Sequence, residues 1–344
     1  MRLLVLAQTL DKKDPTLGFF HEWVVALAAR TDSLLVFVLK TGEYTLPKNV
    51  LVEPLRTSKQ RTPFCTAIRV LSLSWKHRNS YNAVFVHMNQ EYILVAGILW
   101  KLLGKRVYLW RNHYAGSFLT TLAALFCDKI FYTSTSSYTA KYKQAVQMPV
   151  GVDVDSSHFE RTLDRMPDSV LFFGRFNQSK RPDVLVEALG ILKERGVRFV
   201  ATFAGGQDDP TSTYFEDVKG RAAELGLLNQ VMFTGTAIPA PERYSYFRSH
   251  MVYVNAGKSG MLDKTIFEAI AASCIPLTAS KDMAEIAGPE FSYPYGDAPA
   301  LAERIKTVLA FPAEKRAATV RILQEKTASH TLPVLVDKLI AEMA

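Results

Sequence analysis

Cysteine is scarce in this chain. Its three residues, Cys65, Cys127 and Cys274, lie far apart among 344 positions with no paired spacing. That excludes a disulfide-framed scaffold and a thiolate zinc site, and it points to a reducing cytoplasm. Long apolar runs are missing as well. The longest uninterrupted one, Ile93 to Trp100, falls far short of the roughly 20 residues that a membrane-spanning helix needs. The opening stretch, Met1-Arg2-Leu3-Leu4-Val5-Leu6-Ala7, is too short for a secretory signal and reads as a first strand. No residue-level repeat, low-complexity segment or nucleic-acid recognition motif is visible.

What is present is a folded globular composition, 48% hydrophobic and 11% aromatic, with length enough for two domains and two substantial cores. Lys and Arg number 41 against 33 Asp and Glu, a formal charge of +8. Such an excess either favours a polyanionic partner, such as a phosphorylated ligand or an anionic membrane surface, or simply keeps a basic enzyme soluble.

Strand-like apolar runs alternate with amphipathic segments along the whole chain, the pattern of parallel α/β architecture. In the first half the predicted strands are Leu3–Ala7, Leu34–Leu39, Ala83–His87, Val107–Trp110 and Lys129–Tyr132. Helical patterns cover Phe19–Ala29, Phe64–His77, Glu91–Leu103 and Phe118–Phe126. Pro149-Val150-Gly151-Val152-Asp153 breaks the rhythm, which restarts after a polar stretch. The second set of strands is Val170–Phe173, Phe199–Ala204, Val231–Thr234, Met251–Asn255 and Ile275–Leu277. Helices are expected over Pro182–Arg195, Glu216–Leu225, Pro241–Arg248 and Lys264–Ala272, and again in the tail from Pro312 to Ala344. Two doubly wound, Rossmann-like halves are the simplest reading, with ligands expected beyond the carboxyl ends of the strands in the cleft between them.

Two constellations point to chemistry there. Arg175 and Lys180 follow the strand Val170–Phe173 directly, where a short loop opens at the cleft and both cations reach toward one diphosphate. The competing reading is a solvated basic turn, with Arg181 part of it. Further on, Ser259-Gly260-Met261-Leu262-Asp263-Lys264 leads a small-residue loop into a helix that carries Glu268. Backbone N–H groups and the helix dipole at such a start suit phosphate, and a carboxylate one turn later suits a ribose diol. The competing readings are an exposed i,i+4 pair between Lys264 and Glu268, and Asp263 as a plain helix cap.

The blocks Phe173-Gly174-Arg175, Lys180-Arg181-Pro182-Asp183, Phe203-Ala204-Gly205-Gly206, Phe233-Thr234-Gly235, Phe267-Glu268-Ala269 and Ser273-Cys274-Ile275-Pro276 occur in fixed order over about a hundred residues. In order and spacing this run resembles the donor domain of retaining GT-B glycosyltransferases, which share a glutamate–seven residues–glutamate motif. Leu262-Asp263-Lys264 is similar to a sub-branch signature just before the second glutamate.

The resemblance implies a two-domain GT-B fold: an acceptor-binding domain over 1–150, a donor-binding domain over 151–328 joined at a hinge near Gly151, and a closing helix over 329–344 that packs back on the first domain. It also implies that Arg175 and Lys180 hold the donor diphosphate, Glu268 the ribose, and Thr236 the base. Gly174, Gly206 and the Gly260–Lys264 loop line the site, and His113, after the strand Val107–Trp110, touches the sugar. Gly18 stands where relatives carry a glycine pair that approaches the donor. One departure is plain: Gly260 occupies the position of the first motif glutamate.

The implied activity is transfer from a nucleotide-diphosphate sugar to a glycan, lipid-linked or other hydroxyl acceptor in envelope or polysaccharide biosynthesis, with retention and without metal or cofactor. The missing acid leaves a non-catalytic nucleotide-binding scaffold as the alternative. Residues 56–78 mix Lys59, Arg61, Arg69, Lys76 and Arg78 with Phe64, Leu71, Leu73 and Trp75, as a cationic amphipathic helix on an anionic membrane would; a half-buried helix with a solvated basic face is the plainer reading.

Overall fold

Strands buried on both faces of a parallel sheet read as unbroken apolar runs, and β1 (Arg2–Leu10) does so from Leu3 to Ala7. The computed structural model describes residues 1–56, 62–154, 165–207, 209, 211–258 and 262–344. The chain divides into two units, Met1–Gly151 with Leu332–Ala344, and Val152–Thr331.

In the first unit β1 is joined by β2 (Ser33–Thr41), β3 (Val50–Pro54), β4 (Ala83–His87), β5 (Arg106–Trp110), β6 (Lys129–Tyr132) and β7 (Ala145–Gln147). They form a seven-stranded sheet in the order β3-β2-β1-β4-β5-β6-β7, parallel throughout. Side chains alternate across β1. Leu3, Val5 and Ala7 join Trp23 and Leu27 of α1 (Phe19–Ala28) and Leu335 and Leu339 of the C-terminal helix Leu332–Met343 in one core. Leu4 and Leu6 face the opposite layer, with Val70 of α2 (Pro63–Lys76), Trp100 of α3 (Glu91–Leu102) and Ala123 of α4 (Phe118–Ala124). Burying one such aliphatic side chain stabilises the fold by about 1.5–3 kcal/mol. The start of α2 is fixed locally: the Thr62 hydroxyl accepts the Cys65 amide at 3.2 Å and Pro63 occupies the first turn, the favoured chemistry for that position.

In the second unit β8 (Ser169–Phe173), β9 (Val200–Ala204), β10 (Val231–Phe233), β11 (Val252–Asn255) and β12 (Ile275–Thr278) form a parallel sheet ordered β10-β9-β8-β11-β12. Its helices are α5 (Pro182–Glu194), α6 (Tyr214–Glu224), α7 (Arg243–Ser249), α8 (Lys264–Ala271), α9 (Lys281–Ala287), α10 (Ala298–Leu309) and α11 (Ala313–Thr327). The strand order reverses between β8 and β11, so a ligand crevice is expected just beyond the carboxyl ends of those two strands. Of the tail, α11 stays with the second unit and only Leu332–Ala344 returns to the first.

Candidate active site

β8 ends at Phe173, and the next two loops come unusually close. Gly174 has φ +154° and Gly205, just after β9, has φ +144°. A Cβ on Gly205 would stand 1.9 Å from the Gly174 carbonyl oxygen, so no other residue fits without moving the strand ends apart. The Gly205 amide donates to Thr234 Oγ1 at 2.9 Å. The Gly206 carbonyl accepts the Phe176 amide at 2.9 Å, and a Cβ there would lie 2.6 Å from the Ala237 nitrogen. Gly174, Gly206 and Thr236 thus share one tightly packed edge, with Thr236 exposed.

Asn177 shapes the turn that follows. Its Oδ1 accepts the Ser179 and Lys180 amides, each at 3.1 Å, an Asx turn. Lys180 Nζ is ion-paired with Asp263, whose Oδ2 also accepts from Asn255 Nδ2 at 3.0 Å. The paired side chains are only 18% and 25% exposed. Burial alone would raise the Asp263 carboxyl. The Lys180 charge and hydrogen bond, the Asn255 amide and the Arg175 charge outweigh it and hold that carboxyl below its ordinary value. Arg175 itself is exposed. Arg181 is no solvated turn residue: its guanidinium grips Asp183 at 3.0 and 2.8 Å and lies over the Tyr295 ring.

Asp263 stands at the N-cap position of α8 without capping it, because its carboxylate is turned to Lys180 and Asn255. One turn into α8, Glu268 is 2% exposed. Its Oε1 accepts from Arg243 Nη1 at 3.1 Å, and Arg243, itself buried on α7, is oriented by donating Nε–H to the Ala240 carbonyl at 2.8 Å. Glu268 Oε2 is buried with no hydrogen-bond partner among the described residues. Glu268 is therefore not the exposed partner of Lys264, and one of its two oxygens is already taken. The Lys264 ammonium is pushed down to about 7, chiefly by burial and further by the Arg243 charge, with Glu268 and Asp153 opposing.

Of the residues singled out in sequence, the structure gathers Gly174, Arg175, Lys180, Gly206, Thr236, Asp263, Lys264 and Glu268 at the carboxyl edge of this sheet, with Leu262 buried beside them. Gly260 and Met261 lie outside the described residues. His113 and Gly18 belong to the first unit. His113 follows β5, its Nδ1 accepts the Ala115 amide at 2.9 Å, and its ring stacks on Tyr114 with centroids 4.5 Å apart. Gly18 is buried at the start of α1, its amide donating to the Asp14 carbonyl at 2.9 Å. Among the described residues no three His, Cys, Asp or Glu side chains group as metal ligands.

Two participants escaped the sequence reading. Asn255 left one trace, a lone amide closing an otherwise apolar strand. Arg243 left none, since it lies 25 residues from Glu268 on another helix.

Residues 167–310 match the family model described as Glycosyl transferases group 1. No curated protein sequence matches the chain. Among solved structures, HepE of Anabaena in complex with UDP and glucose is 16% identical with a TM-score of 0.77, over 99% of this chain and 98% of that one. Sucrose-phosphate synthase from Thermosynechococcus elongatus is 18% identical with a TM-score of 0.80, at the same coverage of each chain. The trehalose-6-phosphate synthase OtsA is 10% identical with a TM-score of 0.72, over 100% of this chain and 99% of that one. These likenesses establish the fold, a two-domain GT-B architecture. The match over residues 167–310 identifies a glycosyltransferase group 1 domain within the second unit.

Proposed function

We propose that this protein transfers a hexosyl group from a nucleotide-diphosphate sugar to a hydroxyl acceptor, with retention at the anomeric carbon and without a metal ion. The observation that carries this reading is the convergence of Lys180, Arg175 and the start of α8 at the switch point of the second sheet. Two cations and a helix start at one strand edge supply the charge that a departing diphosphate develops, and supply it pre-organised. Glu268 Oε2, buried and without a hydrogen-bond partner among the described residues, offers one acceptor to a ribose hydroxyl. With about 4.8 Å between strands, the loop after β10 lies ~10 Å from the end of β8, a nucleoside's length away, where Thr236 would meet the base. HepE was solved with UDP and with UDP-glucose, and a structurally similar E. coli protein with UDP-2-fluoro glucose, so a uridine diphosphate sugar is the first donor to test.

The pair formed by Lys180 and Asp263 sets the cost of entry. A diphosphate takes Lys180 by exchanging one anion for another, so the charge is not left bare in the free protein. Asp263, three residues after Gly260, is the acid nearest in sequence to the absent motif glutamate and is the candidate to read hydroxyls of the transferred sugar once Lys180 turns to phosphate. The acceptor hydroxyl attacks the face that the diphosphate leaves and passes its proton to a phosphate oxygen, so no protein base is assigned. His113 orients the sugar in this scheme. The acceptor is a glycan or lipid-linked hydroxyl of the kind elongated in envelope polysaccharides.

Incubation with UDP-glucose in the absence of acceptor tests the reading. Slow release of UDP, with glucose appearing first as the α-anomer by NMR, is expected. No release above background would favour the non-catalytic scaffold.

Lys264 adds a pH signature. A bound diphosphate stabilises its protonated form, so affinity for a sugar nucleotide, whose diester phosphates do not titrate near neutrality, is greatest below pH ~7 and falls as pH rises through that value. Calorimetric titration from pH 6 to pH 8.5 measures this, and Lys264→Met should flatten the dependence.

A further inference from the structure

The basic excess of this chain is not spread evenly. Residues 54–127 contain ten of the 41 Lys and Arg residues and one acid, Glu91, of the 33. The remainder holds 31 basic and 32 acidic residues, so this one stretch accounts for the whole positive balance, with Lys76 and Lys101 paired to Glu53 and Asp128 at its borders. It builds α2, α3 and α4, which pack side by side, α2 on α3 and α3 on α4, over one face of the first unit's sheet.

The outward side of that layer is apolar. On α2, Phe64, Ile68, Leu71 and Trp75 recur at helical spacing and are all exposed, Phe64 at 74% and Trp75 at 53%. The opposite side of α2 supplies Val70 and Leu73 to the core. Leu102 at the end of α3 is 81% exposed and Phe118 at the start of α4 is 77% exposed. Half of the exposed large hydrophobic side chains among the described residues fall in this stretch. Cations flank them: the Arg78 guanidinium lies 4.6 Å from the Trp75 ring centroid, and Arg69 is anchored by donating Nε–H to the Pro54 carbonyl at 2.7 Å. Lys59 and Arg61 lie outside the described residues.

We propose that the outer surface of α2, α3 and α4 docks on an anionic lipid surface, with its apolar side chains in the headgroup region and its cations against lipid phosphates. An exposed apolar helix stripe of this kind marks an interaction face. Large aliphatic and aromatic side chains flanked by Arg69 and Arg78 match an interfacial layer in depth and in charge. A second copy fits poorly, because a two-fold contact would set this acid-poor stretch against itself. Nucleic acid offers no counterpart to Ile68, Leu71 and Leu102. The inference stands apart from the donor site, which lies in the other unit, and brings the acceptor-side unit to a surface where lipid-linked hydroxyls reside.

Tryptophan emission reports on it directly. Trp75 is the exposed one of the four tryptophans; Trp23, Trp100 and Trp110 are buried. The full chain is mixed with vesicles of phosphatidylcholine, with or without phosphatidylglycerol. A blue shift and co-sedimentation are expected with the mixed vesicles and neither with phosphatidylcholine alone. Ile68→Ser with Leu71→Ser should weaken sedimentation roughly tenfold or more and keep the wild-type melting temperature, since both side chains are exposed. Met232→Ser, an exposed apolar residue of the second unit, should change nothing. Absence of binding to mixed vesicles, or equal binding by the double variant, would overturn the proposal. So would a lipid-free dimer by light scattering that the double variant dissolves.

Discussion

Arg175→Ala and Lys180→Ala are each expected to lower turnover with a sugar nucleotide by about 10²–10³-fold, the usual consequence of losing one pre-organised group that faces charge developing in a transition state. The two losses should differ in how they arise. Arg175 is exposed and contributes its charge to holding the Asp263 carboxyl down, so its removal is expected to lower the melting temperature less than removal of Lys180. Lys180 is the ion-pair partner of Asp263. Its removal takes away that carboxylate's ion-pair partner, leaving the Asn255 hydrogen bond and the Arg175 charge among the described residues, and the variant should melt earlier. The double variant Lys180→Ala with Asp263→Asn, compared with Asp263→Asn alone because Asp263 is itself assigned to the sugar, separates the effects: stability should recover while turnover stays well below that of Asp263→Asn. Steady-state kinetics on the variants and the wild type, with melting curves beside them, checks this. Turnover that recovers together with stability would show that Lys180 serves the fold and not the reaction.

Arg243→Met should be the most destabilising single change at the site. It deletes the partner of a carboxylate that is 2% exposed, and breaking a buried ion pair from one side costs about 3–5 kcal/mol because the remaining charge is uncompensated. Glu268→Gln should relieve much of that cost in the double variant, because a neutral amide needs no counter-charge. Lys264 supplies an internal check. The Arg243 charge helps push its ammonium down while Glu268 opposes, so removing Arg243 should shift the pH dependence of donor affinity upward. Denaturant unfolding of the single and double variants measures the first effect, and titration calorimetry the second. Wild-type stability in Arg243→Met would mean that Glu268 is held by something other than this pair.

The parts of the molecule legible in sequence are those where one physical cause dominates. Strands β1, β4 and β5 are buried on both faces, and their apolar runs locate them to within a residue or a few. The edge strands β3 and β7 escaped because an edge needs no such run: β3 carries Glu53 and is only partly buried, and β7 has three residues. Helix α2 was visible through its spacing of apolar residues, and its mixture of cations and apolar side chains already suggested a membrane-facing helix, but spacing alone did not sort buried Leu73 from exposed Phe64, Leu71 and Trp75. Around the site, the strand-following position of Arg175 and Lys180 was readable. The pairing of Lys180 with Asp263 across 83 residues, and of Glu268 with Arg243, was not. Such contacts are made by the order in which strands assemble, and a local pattern holds no record of them.

The central claim is that the second unit grips a nucleotide diphosphate with Arg175 and Lys180 at the carboxyl ends of β8 and β11. A crystal structure with an unreactive UDP-sugar bound tests it most directly. Both phosphates should accept hydrogen bonds from these two side chains, with Lys180 turned away from Asp263 and a ribose hydroxyl on Glu268 Oε2. Density that seats the phosphates elsewhere, with the Lys180–Asp263 pair intact, would contradict it.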